Sequence, residues 1–113
     1  MEAMFSPQDK GNVYVRRALQ YIAAHFAAPL TLEAVAREIS VSPNYLSMLF
    51  HKTVGLTFRE RLCRVRVEES KRLLLNSKYS LKEIAVAVGF TDQSYFTKVF
   101  KHLTGLSPGK FRG

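Results

Sequence analysis

The sequence is poor in several things, and each shortage excludes a class of protein. One cysteine, Cys63, cannot form an internal disulfide, so the chain is not a secreted disulfide scaffold. That fits a reducing compartment, and the expected location is cytoplasmic. No run of 18 apolar residues occurs, so no membrane-spanning segment is expected. Residues 1–10 contain Glu2, Pro7 and Asp9 and no apolar stretch, unlike a signal peptide. His25, His51 and His102 stand far apart without metal-ligand spacing, so no metal and no cofactor are expected. No phosphate-binding glycine loop is present, and Cys63 has no His or Asp at suggestive spacing; catalysis is not expected. Acidic residues are also scarce, with 9 Asp+Glu against 17 Lys+Arg, for a formal net charge of +8. That balance points to a polyanionic partner, a nucleic acid or an anionic membrane surface. A membrane role would need one strongly basic amphipathic helix, and Arg16 and Arg17 on the first helix are too few.

What is present is an ordinary globular composition, 47% hydrophobic and 12% aromatic over 113 residues. Residues 1–11 read as a loose tail, with Gly11 interrupting any early turn. From Asn12, the residues Val15, Ala18, Leu19, Ile22 and Phe26 recur at helical spacing. Helix starts then follow one another: Thr31, Ser42-Pro43, Thr57 with Glu60, Ser80 with Glu83, Thr91-Asp92, and Ser107-Pro108. Gly55, Gly89 and Gly105 mark helix stops. No stretch alternates with period two for long enough to make a strand, so the fold class is all-α.

The chain repeats itself. A shift of 49 residues aligns Leu32, Val35, Ala36 and Ile39 with Leu81, Ile84, Ala85 and Val88. A shift of 50 aligns Tyr45, Phe50, Gly55 and Leu56 with Tyr95, Phe100, Gly105 and Leu106. The one-residue slip falls in the turn between the two helices of each copy, where insertions are tolerated. Short helix, tight turn and longer helix make a helix–turn–helix unit, whose second helix in a DNA-binding protein lies in the major groove. The segment between the copies, about 18 residues from Thr57 to Leu75, spans roughly 27 Å as a helix. Duplex DNA turns once in about 34 Å, so such a helix suits two reading helices in successive major grooves. Phe58, Leu62 and Val65 form one apolar stripe on it; Cys63, Val67, Ser70 and Leu74 form another, as expected if its ends pack on two subdomains.

The segments LEAVAREISVSPNYLSMLF, KRLLL and SLKEIAVAVGFTDQSYFTKVFKHLTGLSPGKFR resemble the DNA-binding domain of the AraC/XylS family of bacterial transcription regulators. The resemblance implies seven helices forming two helix–turn–helix subdomains, here 12–56 and 77–113, joined by a linker helix at 57–76. It implies sequence-specific binding to double-stranded DNA upstream of promoters. It further implies RNA polymerase as a partner, and a sensor or dimerisation domain that this chain does not contain.

Base-reading positions should lie on the solvent face of each second helix. In the first copy Leu46, Leu49 and Phe50 face the core, with Tyr45 partly so, leaving Asn44, Ser47 and Met48 where the family contacts bases. Met48 departs from the family's long polar or basic residue. It suits either a thymine methyl or gap-filling at a subdomain edge. In the second copy Tyr95, Phe96, Val99 and Phe100 face the core, and Gln93, Ser94, Thr97 and Lys98 face outward; Gln suits adenine and Lys suits guanine. Ser42, His51, Lys52, Thr91 and Lys101 are the candidate phosphate contacts, which fix position without reading sequence. Arg59, Arg61, Arg64 and Arg66 are spread around the linker helix, some paired with Glu60, Glu68 or Glu69. The competing reading is a helical protein-interaction module that binds DNA only weakly and without sequence preference.

Overall fold

The structure is a computed structural model that describes residues 7–113, with side chains from Val13 onward. Seven helices follow in order: α1 (Pro7–His25), α2 (Leu32–Glu38), α3 (Pro43–Val54), α4 (Phe58–Asn76), α5 (Leu81–Ala87), α6 (Gln93–Thr104) and α7 (Pro108–Arg112). No strand occurs among the described residues. The expectation of an all-α chain of seven helices holds. The helix expected to start at Asn12 runs instead from Pro7, straight through Gly11. A proline fits the first helical position, and one interior glycine costs only about 1 kcal/mol, too little to break the helix. Residues 1–6 of the expected tail lie outside the described residues.

The chain divides into two units. The first holds α1, α2, α3 and the opening of α4. Val15, Ala18 and Ile22 of α1, Val35, Ala36 and Ile39 of the α2 segment, and Leu46 and Phe50 of α3 are all buried. Phe58, in the first turn of α4, meets Phe50 edge to face at 5.9 Å between ring centroids. Ala36 and Ala85 are both fully buried, and their small side chains let the paired helices approach closely.

The second unit holds the rest of α4, α5, α6, α7 and the short connector Phe26–Pro29. Its core joins Val67 and Leu74 of α4 to Ile84, Ala85, Val88, Phe90, Phe96 and Phe100. Four aromatic rings run in a chain through it, Tyr95 to Phe90 to Phe96 to Phe100, with Phe111 of α7 closing the end at 5.4 Å. Phe26 was expected on the buried stripe of the first helix. It lies beyond the end of α1 and packs against this second core.

Arg66 locks the connector in place. Its guanidinium donates to the Phe26 carbonyl at 2.7 Å and the Ala28 carbonyl at 2.9 Å, and sits 5.7 Å from the centre of the Phe90 ring. Those carbonyls lie in the connector just past the end of α1, beyond the reach of helical N–H groups. Arg112 does the same at the end of α4, donating to the Leu74 carbonyl at 3.0 Å and the Ser77 carbonyl at 3.3 Å. Gly89 sits against the same clasp with φ +105°, and a Cβ there would stand 2.7 Å from the Phe26 carbonyl oxygen.

Candidate nucleic-acid interface

The two copies of the repeat match in their backbone as well as their sequence. Thr31 caps α2 and Ser80 caps α5, each accepting from the backbone N–H three residues on. Both short helices have seven residues and both longer ones twelve. Gly55 and Gly105 end α3 and α6 with φ of +83° and +85°. Within the turn, Ser40 and Gly89 take the matching positive-φ position, at +64° and +105°. The Val41 and Phe90 N–H groups then bond back to the Ala36 and Ala85 carbonyls at 3.0 and 2.9 Å. The shift of 49 therefore holds through Val41 and Phe90. It becomes 50 at the caps Ser42 and Asp92, so the extra residue of the second turn is Thr91.

This corrects one expected boundary. The cap of α6 is Asp92, whose carboxylate accepts from the Tyr95 N–H at 2.7 Å. Thr91 precedes it and is exposed. The acid matters electrostatically, because a carboxylate favours the positive end of a helix but repels a phosphate brought to the same place. At the start of α3 the cap is neutral Ser42, whose hydroxyl oxygen accepts from the Tyr45 N–H at 3.1 Å and keeps its own hydrogen to donate.

Along α6, Gln93, Ser94, Thr97, Lys98, Lys101 and His102 line one open concave surface. The expected base contacts Gln93, Ser94, Thr97 and Lys98 and the expected phosphate contact Lys101 thus come together on one face. Thr97 is half-buried at its edge and the others are exposed. Among the described residues, Lys98 and Lys101 are in no ion pair, so their charges face solvent uncompensated. His102 completes the face and was missed. It continues the spacing of Ser94 and Lys98 by four more residues, which the sequence already displayed.

The matching face of α3 carries Asn44, Ser47, Met48, His51 and Lys52, all exposed. Each expected first-copy position is thus open to solvent. The two tyrosines differ. Tyr95 packs against Phe90 at 5.7 Å between centroids, with its hydroxyl 4.0 Å from the Cys63 sulfur. Tyr45, expected to face the core only in part, is 41% exposed and touches Tyr14 of α1 edge to face at 6.2 Å.

On α4, Glu68 pairs with Lys71 at 2.7 Å and Glu69 with Arg72. Those two acids were expected to serve the arginines nearer the helix start. Arg66 turns inward and is buried, while Arg64 is exposed.

A short helix, a tight turn and a longer helix with an open polar face, built twice in one chain, define a tandem helix–turn–helix protein. Comparison with known proteins carries this further. A family described as "Helix-turn-helix domain" matches residues 35–113. The HTH-type transcriptional regulator YijO of Escherichia coli K12 is 44% identical over 92 residues, covering 81% of this chain and 32% of that protein. The arabinose operon regulatory protein of the same organism is 36% identical over 112 residues, covering 98% of this chain and 37% of that protein. Among solved structures, the C-terminal domain of AraT, a response regulator from Geobacillus stearothermophilus, superposes with a TM-score of 0.85 at 40% identity. That match covers 97% of this chain and 87% of the other. The chain belongs to the AraC/XylS family of bacterial transcription regulators and corresponds to its DNA-binding domain. It spans about a third of the length of these two curated relatives. No described helix is long and apolar enough to cross a membrane.

Proposed function

We propose that this chain regulates transcription by placing α3 and α6 each in a major groove of one duplex. Asn44, Ser47 and Met48 on α3, and Gln93, Ser94, Thr97 and Lys98 on α6, read bases. Ser42, His51, Lys52, Thr91 and Lys101 hold phosphates. The observation that carries this reading is the pair of matched, solvent-open faces on two helices set in the same cap-to-cap frame. Phosphate contacts fix register and base-edge contacts give sequence, so a face holding Lys beside Gln, Ser and Thr suits both tasks. His102 joins Lys101 at the phosphate edge.

The role is binding, and it belongs in the cytoplasm with the chromosome. The curated relatives are roughly three times as long as the matched segment. That length leaves room for a sensor or dimerisation domain as a partner; RNA polymerase is the proposed target of the bound protein because the relatives are transcription regulators.

Selection of bound sites from random duplex DNA tests this. Enrichment of an asymmetric site about two helical turns long is the expected result. Binding that enriches nothing would favour the interaction-module reading instead.

A further inference from the structure

The two reading faces correspond position for position, yet their chemistry diverges. Met48 stands on α3 where Lys98 stands on α6. Its side chain is 57% exposed, an apolar thioether held out in solvent. That exposure favours contact with a partner over gap-filling at a subdomain edge. Tyr45, three residues earlier and so a neighbour on the helix surface, is also open, and its ring is braced by Tyr14. Pro43 replaces Gln93, which takes away a side-chain amide and a backbone N–H. The α3 face is therefore poorer in donors and richer in apolar surface than the α6 face.

In the major groove the base pairs offer one apolar group, the C5-methyl of thymine, while guanine offers two acceptors that suit a lysine. We infer that Met48, flanked by Tyr45, reads a thymine methyl, so that α3 selects an A·T pair at the position where α6 selects guanine through Lys98. This rests on the base-reading role of α3 proposed above and assigns its chemistry.

The test uses the 113-residue chain. Its selected site is resynthesised with each thymine in turn replaced by deoxyuridine, which pairs identically and lacks only the methyl. One replacement is expected to weaken binding about fourfold, the transfer value of one buried methyl-sized group. That loss should vanish when Met48→Ala is the binder. Met48→Lys should move the preference at that pair toward guanine. Since Met48 is exposed, both variants are expected to keep the parent unfolding curve. A selected site where every deoxyuridine is neutral, or where the loss persists with Met48→Ala, overturns the thymine assignment and leaves DNA reading intact. If no site is selected at all, the DNA reading falls and takes this assignment with it.

Discussion

Gly89 and Arg66 lie outside the polar faces of α3 and α6, and the packing of the second unit rests on them. A Cβ at Gly89 would meet the Phe26 carbonyl oxygen at 2.7 Å and the Arg66 Nε at 2.8 Å, and φ +105° is strained for any L side chain. Gly89→Ala is expected to cost roughly 2–4 kcal/mol of stability, read from urea unfolding. Gly55 and Gly105 share a positive φ, but nothing lies within 4 Å of a Cβ at either, so alanine there should cost only about 1–2 kcal/mol. Equal costs at all three positions would show that the Arg66 clasp is not what confines Gly89. On the proposed reading face of α6 the expected effect is on recognition. Lys98→Ala should lose ~1–3 kcal/mol of discrimination at one base pair while leaving unfolding unchanged. Binding weakened equally on all sequences would move Lys98 to the phosphates.

Among the elements, the helix starts are where the sequence was most legible. The Thr57–Glu60 and Ser80–Glu83 boxes form with both bonds between 2.8 and 3.1 Å, because capping is local chemistry between residues three apart. Ser80→Ala should cost about 1 kcal/mol, measurable as a lower urea midpoint. The start of α6 is open in the sequence to one residue, since Thr91 and Asp92 are both good caps and the sequence does not choose between them. In the structure Asp92 takes the cap, and Phe90 before it and Phe96 after it are both buried, with their rings 5.3 Å apart. Asp92→Asn keeps a capping oxygen and removes a charge that repels phosphate. It should tighten DNA binding several-fold with little change in stability, as measured by titration at fixed salt. Unchanged affinity would place the start of α6 away from the DNA backbone.

For the molecule as a whole, charge is distributed unequally. Residues 1–56 carry 5 Lys+Arg and 4 Asp+Glu, whereas residues 57–113 carry 12 and 5. The later half should therefore supply most of the electrostatic grip, leaving the first reading helix dependent on shape and base contacts. Binding should weaken steeply with salt, and Lys101→Ala should reduce the log–log slope by about 1 if Lys101 holds one phosphate. A slope unchanged in that variant would take Lys101 off the phosphate list.

The repeat, the caps, the all-α class and the outward position of both reading faces were determined by the sequence alone. Each depends on residues within a few positions of one another or on a pattern that recurs. Only the tertiary structure decided that Phe26 leaves the stripe of α1 for the second core, and that Arg66 turns inward to two carbonyls some 40 residues earlier in the chain. It also decided that Tyr45 is open while Tyr95 is packed. Those outcomes are contacts between distant segments. Helical periodicity says which side of a helix is apolar, but what comes to rest against that side is settled by packing.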